Sequence, residues 1–427
     1  MSDRAGEWRQ VSKGAVEPIG RDEAVEPVSL WHNRDLLLWT GQVLSTLGTR
    51  MSSVAVPLLV LSMTGSASKA GVAGFIATLP YLLFYLPAGA LLDRLDRRSV
   101  MWWCEAVRVV ALGSIPVALY LDRLTFAFLL VAGCVGGTCF VFFSVAEKSV
   151  LPSLVTPEQP TPALAQQEAK SRAAGLAGPP LGGLLYGVSH ALPFLADALS
   201  YVVSLVTLSF IRADLRVKRK EPVGVMWREV GAGVRWLLRE PFIRVTVVCV
   251  ALTNVMFQAL TLILIVLARH LGASSGITGA VLGFFGCGGL AGAFAAPWIQ
   301  RRLAPRAVAI GATWLWVVLL VPIAAMPTPL TLGPLVAAMA FVGPVWNVVV
   351  VGYQYKVIPD HMLARVKSIV LLVSWGAIPF GSLIAGALLD LTSPRSSVLA
   401  LSGLTLLVAV IATASPGIRK AGVLTAS

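Results

Sequence analysis

Long apolar runs alternate with short polar breaks along this chain. The runs fall at 35–62, 69–92, 99–120, 124–147, 163–188, 192–211, 242–267, 274–299, 306–326, 331–352, 367–390 and 396–415. Each has the length of about 20 residues that a helix needs to cross hydrocarbon. They are continuous, whereas the strands of a membrane barrel would show alternation over roughly 10 residues. Glycine and proline inside the runs are compatible with membrane helices. The pattern predicts an all-α membrane protein with twelve transmembrane helices. Gly65-Ser66 separates the first two, and Pro80 and Pro87 are expected to perturb the second.

The longest polar interruption, 212–241, divides the spans six and six. It opens on Arg212, Arg216, Lys218, Arg219 and Lys220, then places Met226, Val230, Val234, Leu237 and Leu238 at helical spacing. A short amphipathic helix on the membrane surface is expected there. The predicted organisation is a tail over 1–34, a six-helix bundle over 35–211, the linker over 212–241, a second bundle over 242–415 and a tail over 416–427. The halves share a trace of sequence. Pro180, Gly182, Gly183, Leu184 and Gly187 recur as Pro379, Gly381, Ser382, Leu383 and Gly386, at a constant offset of 199. The basic pair Arg97-Arg98 after the second span has a counterpart in Arg301-Arg302 after the eighth. Two pseudo-symmetric bundles favour a binding site at mid-membrane between them.

Composition sharpens the picture. Of the 427 residues, 56% are hydrophobic and 13% charged, against about a quarter charged in soluble domains. The net charge of +13 invites a nucleic-acid partner, but its distribution argues for a membrane. Of the 34 Lys and Arg, 28 fall on the tails and alternate loops with their flanking turns, four (Lys69, Arg123, Arg269, Arg395) on the opposite loops, and Arg50 and Arg108 within spans. The positive-inside rule puts both termini in the cytoplasm of a plasma (inner) membrane protein. The first 34 residues hold no apolar stretch of a cleavable signal. The five cysteines lie in apolar runs and read as small buried hydrophobes. No GxxxxGK[ST], HExxH or zinc-spaced Cys/His set occurs, so neither nucleotide hydrolysis, nor a metal or other cofactor, nor an enzyme is expected.

The loop after the second span packs five charges into the six residues 93–98. Gly89, Asp93-Arg94 and Arg97-Arg98 in that spacing resemble the loop signature of the major facilitator superfamily, with Asp96 where the pattern usually has a second glycine. In the fifth span, Gly178, Pro179, Pro180, Gly182 and Gly183 resemble the core of that family's antiporter motif, with Ala165 and Ala174 in place of its upstream glycines. The stretch from Asn33-Arg34 to Gly48 and the stretch 146–184 are similar to the drug-exporter branch with macrolide-efflux and enterobactin-exporter proteins. The resemblance covers all twelve spans. It implies that Asp93 docks on the start of the eleventh span near residues 366–368, where a carboxylate would satisfy orphan N–H groups. Arg94, Arg97 and Arg98 would pair with carboxylates, Asp96 and Glu147 being the candidates. Such a latch would hold the halves together in one state. The simpler reading is that these charges only mark the inner surface. The small residues of the fifth span would let helices approach closely.

Charges within spans are the remaining clue. Arg50 lies near the middle of the first span, where insertion costs about 2.5–3.5 kcal/mol and lipid contact is rare. Asp197 is its candidate partner, in a structural pair or in a substrate or proton role. Glu105 and Arg108, three apart, read as a local pair near the cytoplasm. In the superfamily, spans 1, 4, 7 and 10 line the cavity. That assigns Gln42, Arg50, Asn254, Gln258, Trp346 and Asn347 to substrate contact, with bonding between helices as the other reading of the amides. The fourth span lacks the central arginine of many proton-coupled relatives, leaving Glu147, Arg50 and Asp197 as candidates for the proton. The implied activity is export of amphipathic organic compounds by alternating access in exchange for protons, by a monomer embedded in lipid. The alternatives are a dedicated metabolite, siderophore or lipid exporter and, outside transport, a polytopic enzyme or scaffold.

Overall fold

A computed structural model describes residues 35–92, 95–154, 160–210 and 223–419. The first half contains α1 (Asp35–Thr64), α2 (Ala67–Leu92), α3 (Arg97–Tyr120), α4 (Phe126–Leu154), α5 (Pro160–Val188) and α6 (Leu192–Ser209). A helix within the linker, α7 (Val223–Arg239), precedes the second half. That half contains α8 (Pro241–His270), α9 (Ser275–Arg302), α10 (Pro305–Ala325), α11 (Pro329–Val357), α12 (Asp360–Gly376), α13 (Ile378–Leu391), α14 (Pro394–Ala414) and the single turn α15 (Pro416–Arg419). Among the described residues there are 11 stretches apolar and long enough to cross a membrane, with α12 and α13 together forming one. The 29-residue α5 completes the six helices of its half.

Local chemistry sets the ends of these helices. Asp96 caps α3, its carboxylate accepting from the N–H groups of Arg98 and Ser99. Ser274 and Ser393 cap α9 and α14 in the same way. Gly65 (φ +65°) ends α1 and Gly272 (φ +82°) follows α8. The two turns are equivalent in the two halves, and each uses the left-handed conformation that glycine adopts without a Cβ clash. Within α2, Pro80 and Pro87 leave the helix unbroken. The expected eleventh span is broken at Ala377, two residues before Pro379. Proline has no N–H to bond the carbonyl four residues back, here that of Trp375.

The halves repeat one packing scheme. In the first, α1 packs on α5 and α6, α4 on α2 and α3, and α3 on α6. In the second, α8 packs on α13 and α14, α11 on α9 and α10, and α10 on α14. The halves meet mainly through two related pairs, α5 with α9 and α2 with α13 and α12. The contacts of α5 with α9 and α2 with α13 begin near the ends of the helices remote from the chain termini, here called the distal side. Gly71, early in α2, sits against Ser382 and Gly386 of α13, and the Ser68 N–H donates to Asp390 Oδ1 at 3.3 Å. Outside the bundles, α7 lies on α12, with Gly233 against Arg365 and Ile369. The expectation that every cysteine is buried fails at Cys287, which is exposed, and at Cys134, which is half-buried.

Candidate functional site

The span-5 motif forms two contacts at once. A Cβ on Gly178 would run into Arg50 of α1, and one on Gly182 would lie 2.8 Å from the Met51 Cα. On the neighbouring face, a Cβ on Gly183 would stand 3.0 Å from the Gly279 Cα of α9. Pro179 and Pro180 complete this face, the Pro179 carbonyl against Gly279 and the Pro180 ring against Gly283. The motif therefore fixes α1 within its half and α9 of the other half against one helix. Glycine is needed because the backbones themselves are in contact.

Arg50 meets no carboxylate among the described residues. Its electrostatic neighbours are Tyr81 of α2 and Arg172 of α5. The expected Arg50–Asp197 pair does not form. Asp197 is 1% exposed, and neither of its carboxylate oxygens has a hydrogen-bond partner among the described residues. Ser52 and Tyr201 flank it, and the Ser52 Oγ is likewise unpartnered. Gly48 of α1 makes room for it: a Cβ there would lie 2.6 Å from Asp197 Oδ1.

Beside Asp197 a buried polar network joins α1, α3 and α6. Gln42 Nε2 donates to Ser204 Oγ at 3.1 Å, and Ser204 Oγ donates to Glu105 Oε1 at 3.2 Å. Ser45 Oγ donates to the same Oε1 at 3.5 Å. Arg108 Nη1 stands 4.0 Å from Glu105 Oε1, and its guanidinium lies over the Tyr201 ring at 4.4 Å. The Tyr201 hydroxyl bonds Thr49 Oγ1 at 2.8 Å. Glu105 and Arg108 are thus a local pair, as their spacing implies, but buried at mid-helix rather than near the terminal side. Gln42 holds α1 to α6, the other reading of the amides. Gln258 likewise holds α8 to α13, its Nε2 donating to Ser382 Oγ at 3.0 Å.

Three of the expected contact residues, Asn254, Trp346 and Asn347, share a cavity of about 270 Å³. Phe257, Phe285 and Trp316 form much of its remaining wall, with Thr253 among the polar groups. Asn254 Nδ2 donates to the Ser374 carbonyl at 2.8 Å, which fixes the amide. The Trp346 indole N–H is buried without an acceptor among the described residues. The first half contributes Arg172 of α5, which also reaches Gly289 of α9. Arg172 is one of the 28 basic residues of the cytoplasmic count and reads there, by charge alone, as a loop residue. Its position nine residues inside the expected fifth span was the available signal.

Asp93 and Arg94 lie outside the described residues, so the expected docking of Asp93 does too. Among the described residues, a Cβ on Gly89 would meet nothing within 4 Å. Arg97 Nη1 donates to the Ser149 carbonyl at 2.8 Å, and Arg98 Nη2 to the Ser209 carbonyl at 2.9 Å. These bonds tie α3 to the ends of α4 and α6, where cations suit the last carbonyls. The carboxylate pairing expected for these two arginines is joined by main-chain capping within their own half. Glu147 also makes a contact, and its neighbour Lys148 stands 5.6 Å from the Trp375 ring of α12. Trp375 in turn packs on Tyr81 and Tyr85 of α2 at 6.0 and 5.7 Å between centroids. No group of three metal-ligating side chains occurs among the described residues.

Comparison with known proteins gives a consistent family. The family described as transmembrane secretion effector matches residues 30–423. The multidrug efflux pump Tap of Mycolicibacterium fortuitum is 26% identical over 398 residues, covering 90% of this chain and 96% of its own. Macrolide efflux protein A of Streptococcus pyogenes is 26% identical over 191 residues, covering 44% of this chain and 47% of its own. A bacterial homologue of the iron transporter ferroportin, solved facing inward, superposes with a TM-score of 0.70 at 18% identity, covering 90% of this chain and 98% of its own. The nucleoside transporter NupG gives 0.71 at 13% identity, covering 91% and 99%.

Proposed function

The chain belongs to the transmembrane secretion effector family of major facilitator transporters, and we propose that it exports amphipathic organic compounds from the cytoplasm in exchange for protons. The observation that carries this reading is the cavity itself. It has aromatic walls and a few polar groups, and residues of both halves line it. Such a lining suits compounds with a large apolar surface and a small polar head. The efflux activities named for Tap and macrolide efflux protein A support the direction of transport. With the distal side closed by α5–α9 and α2–α13, the arms rock about the cavity, and access alternates.

Coupling needs a group that takes and gives up a proton as the arms move. Glu105 and Asp197 are the carboxylates we assign, because both are buried within the helices of the first half beside Arg108. The Asp93 latch on the eleventh span belongs to the same proposal and biases the outward-open state. The chain acts as a monomer in the plasma membrane, with both termini cytoplasmic.

The test is accumulation of a panel of drugs and dyes in an efflux-deficient bacterial host, with and without a protonophore. Lower accumulation with the wild type, lost on adding the protonophore, is expected for at least one compound. Equal accumulation across the panel in cells with and without the protein would overturn broad export.

A further inference from the structure

Two amides of α8 straddle the break in the eleventh span. Asn254 and Gln258 stand four apart and so share a face of that helix. Asn254 Nδ2 donates to the Ser374 carbonyl, before the break, at 2.8 Å. Gln258 Nε2 donates to Ser382 Oγ, after it, at 3.0 Å. Because α12 ends at Gly376, the Ser374 carbonyl is among its last four, which have no partner along the helix. An N–H supplied from α8 satisfies it, and a donor suits the negative end of a helix. The Ser374 hydroxyl, buried in the same turn, has no partner among the described residues and does not tie the turn to α8. The two pieces meet the other half separately. Trp375 of α12 packs on Tyr81 and Tyr85 of α2. From α13, Phe380 lies 6.1 Å from Phe75 between centroids, and Ser382 lies against Gly74. The angle at the break thus sets how the eleventh span presents itself to α2. Asn254 is at the same time part of the cavity wall.

We propose that Asn254 is a positioning residue for transport, which sets the angle between α12 and α13 by capping the Ser374 carbonyl and carries cavity occupancy to the break. The role rests on the export reading and links its cavity to the contact between the arms. A compound that takes the Asn254 N–H releases the end of α12, while Gln258 keeps α13 in place. Because that new bond replaces the cap, the two nearly cancel in affinity, and the effect falls on the movement.

The experiment follows hydrogen exchange over residues 371–378 of the purified full-length protein, together with export. The proteins are the wild type, Asn254→Leu, Asn254→Gln, Pro379→Ala and the double variant with Asn254→Leu and Pro379→Ala. Loss of one hydrogen bond in Asn254→Leu should speed exchange at the break roughly 3- to 10-fold. Asn254→Gln keeps the donor and should restore part of the protection. In Pro379→Ala the ladder is continuous and the Ile378 N–H serves the Ser374 carbonyl, so adding Asn254→Leu should change exchange by less than about 2-fold. For the fastest exported compound of the drug and dye panel, Asn254→Leu should lower turnover about 10-fold and leave KM within about 3-fold. Unchanged exchange at the break, a raised KM at unchanged turnover, or effects that add in full to those of Pro379→Ala would each overturn the proposal. Asn254→Ala repeats the comparison where the leucine variant does not reach the membrane. No export of any panel compound overturns the export reading and the transport role with it, whereas export with unchanged exchange at the break overturns only the role of Asn254.

Discussion

A side chain at Gly183 has nowhere to go, because the Gly279 Cα and the Ser275 carbonyl occupy its space. Gly183→Val should therefore cost about 1–3 kcal/mol, read as a lower Tm, and should abolish export. Gly187, one turn on, meets nothing within 4 Å, and Gly187→Ala should leave both readouts near wild type. The motif was legible in the sequence, but which of its glycines bear on which helix was not, since spacing does not reveal the partner across a contact. The buried charges divide similarly. Glu105→Leu leaves Arg108 buried without its partner and should destabilise by about 3 kcal/mol, measured by thermal unfolding in detergent. Asp197→Asn preserves shape against Gly48 and should fold normally. In proteoliposomes it should retain exchange of substrate for substrate yet lose accumulation driven by a pH gradient. Pairing Asp197 with Arg50 from sequence failed because the charged neighbourhood of Arg50 is Tyr81 of α2 and Arg172 of α5, and linear position does not fix the direction of a side chain around a helix.

At the scale of elements, hydrophobic length located the spans because hydrocarbon thickness imposes it. The break in the eleventh span was less legible: Pro179-Pro180 leave α5 continuous while Pro379 follows a break, so proline alone does not decide. The tertiary setting at this break includes Gly376 packed against Leu82 of α2. Pro379→Ala restores a donor to the ladder and should join α12 to α13. We expect slower export with unchanged or higher Tm, and export at the wild-type rate would show that the break is incidental. Arg172 illustrates the opposite error. Its charge suggests the loop side, although it lies well inside the 29-residue α5, at the wall of the cavity.

For the whole molecule, the pseudo-symmetry of the packing gives two equivalent contacts between the arms, so closing one side must involve both. Ser68→Cys with Asp390→Cys, in a background lacking the native cysteines, should cross-link the distal ends of α2 and α13. Export should stop on oxidation and return with reductant, whereas undiminished export by the cross-linked protein would show that these ends need not part. At the other side, Asp93→Asn should strongly reduce export at normal membrane expression. The crossing of α5 over α9 carries a mechanical consequence. Where main chain bears on main chain, as at Gly183 and Gly279, few interdigitated knobs need to unlock before the arms turn. Such a joint works as a smooth bearing, and its friction is set by the lipid around it more than by the protein. Export should then slow markedly in stiffer bilayers even when substrate affinity is unchanged.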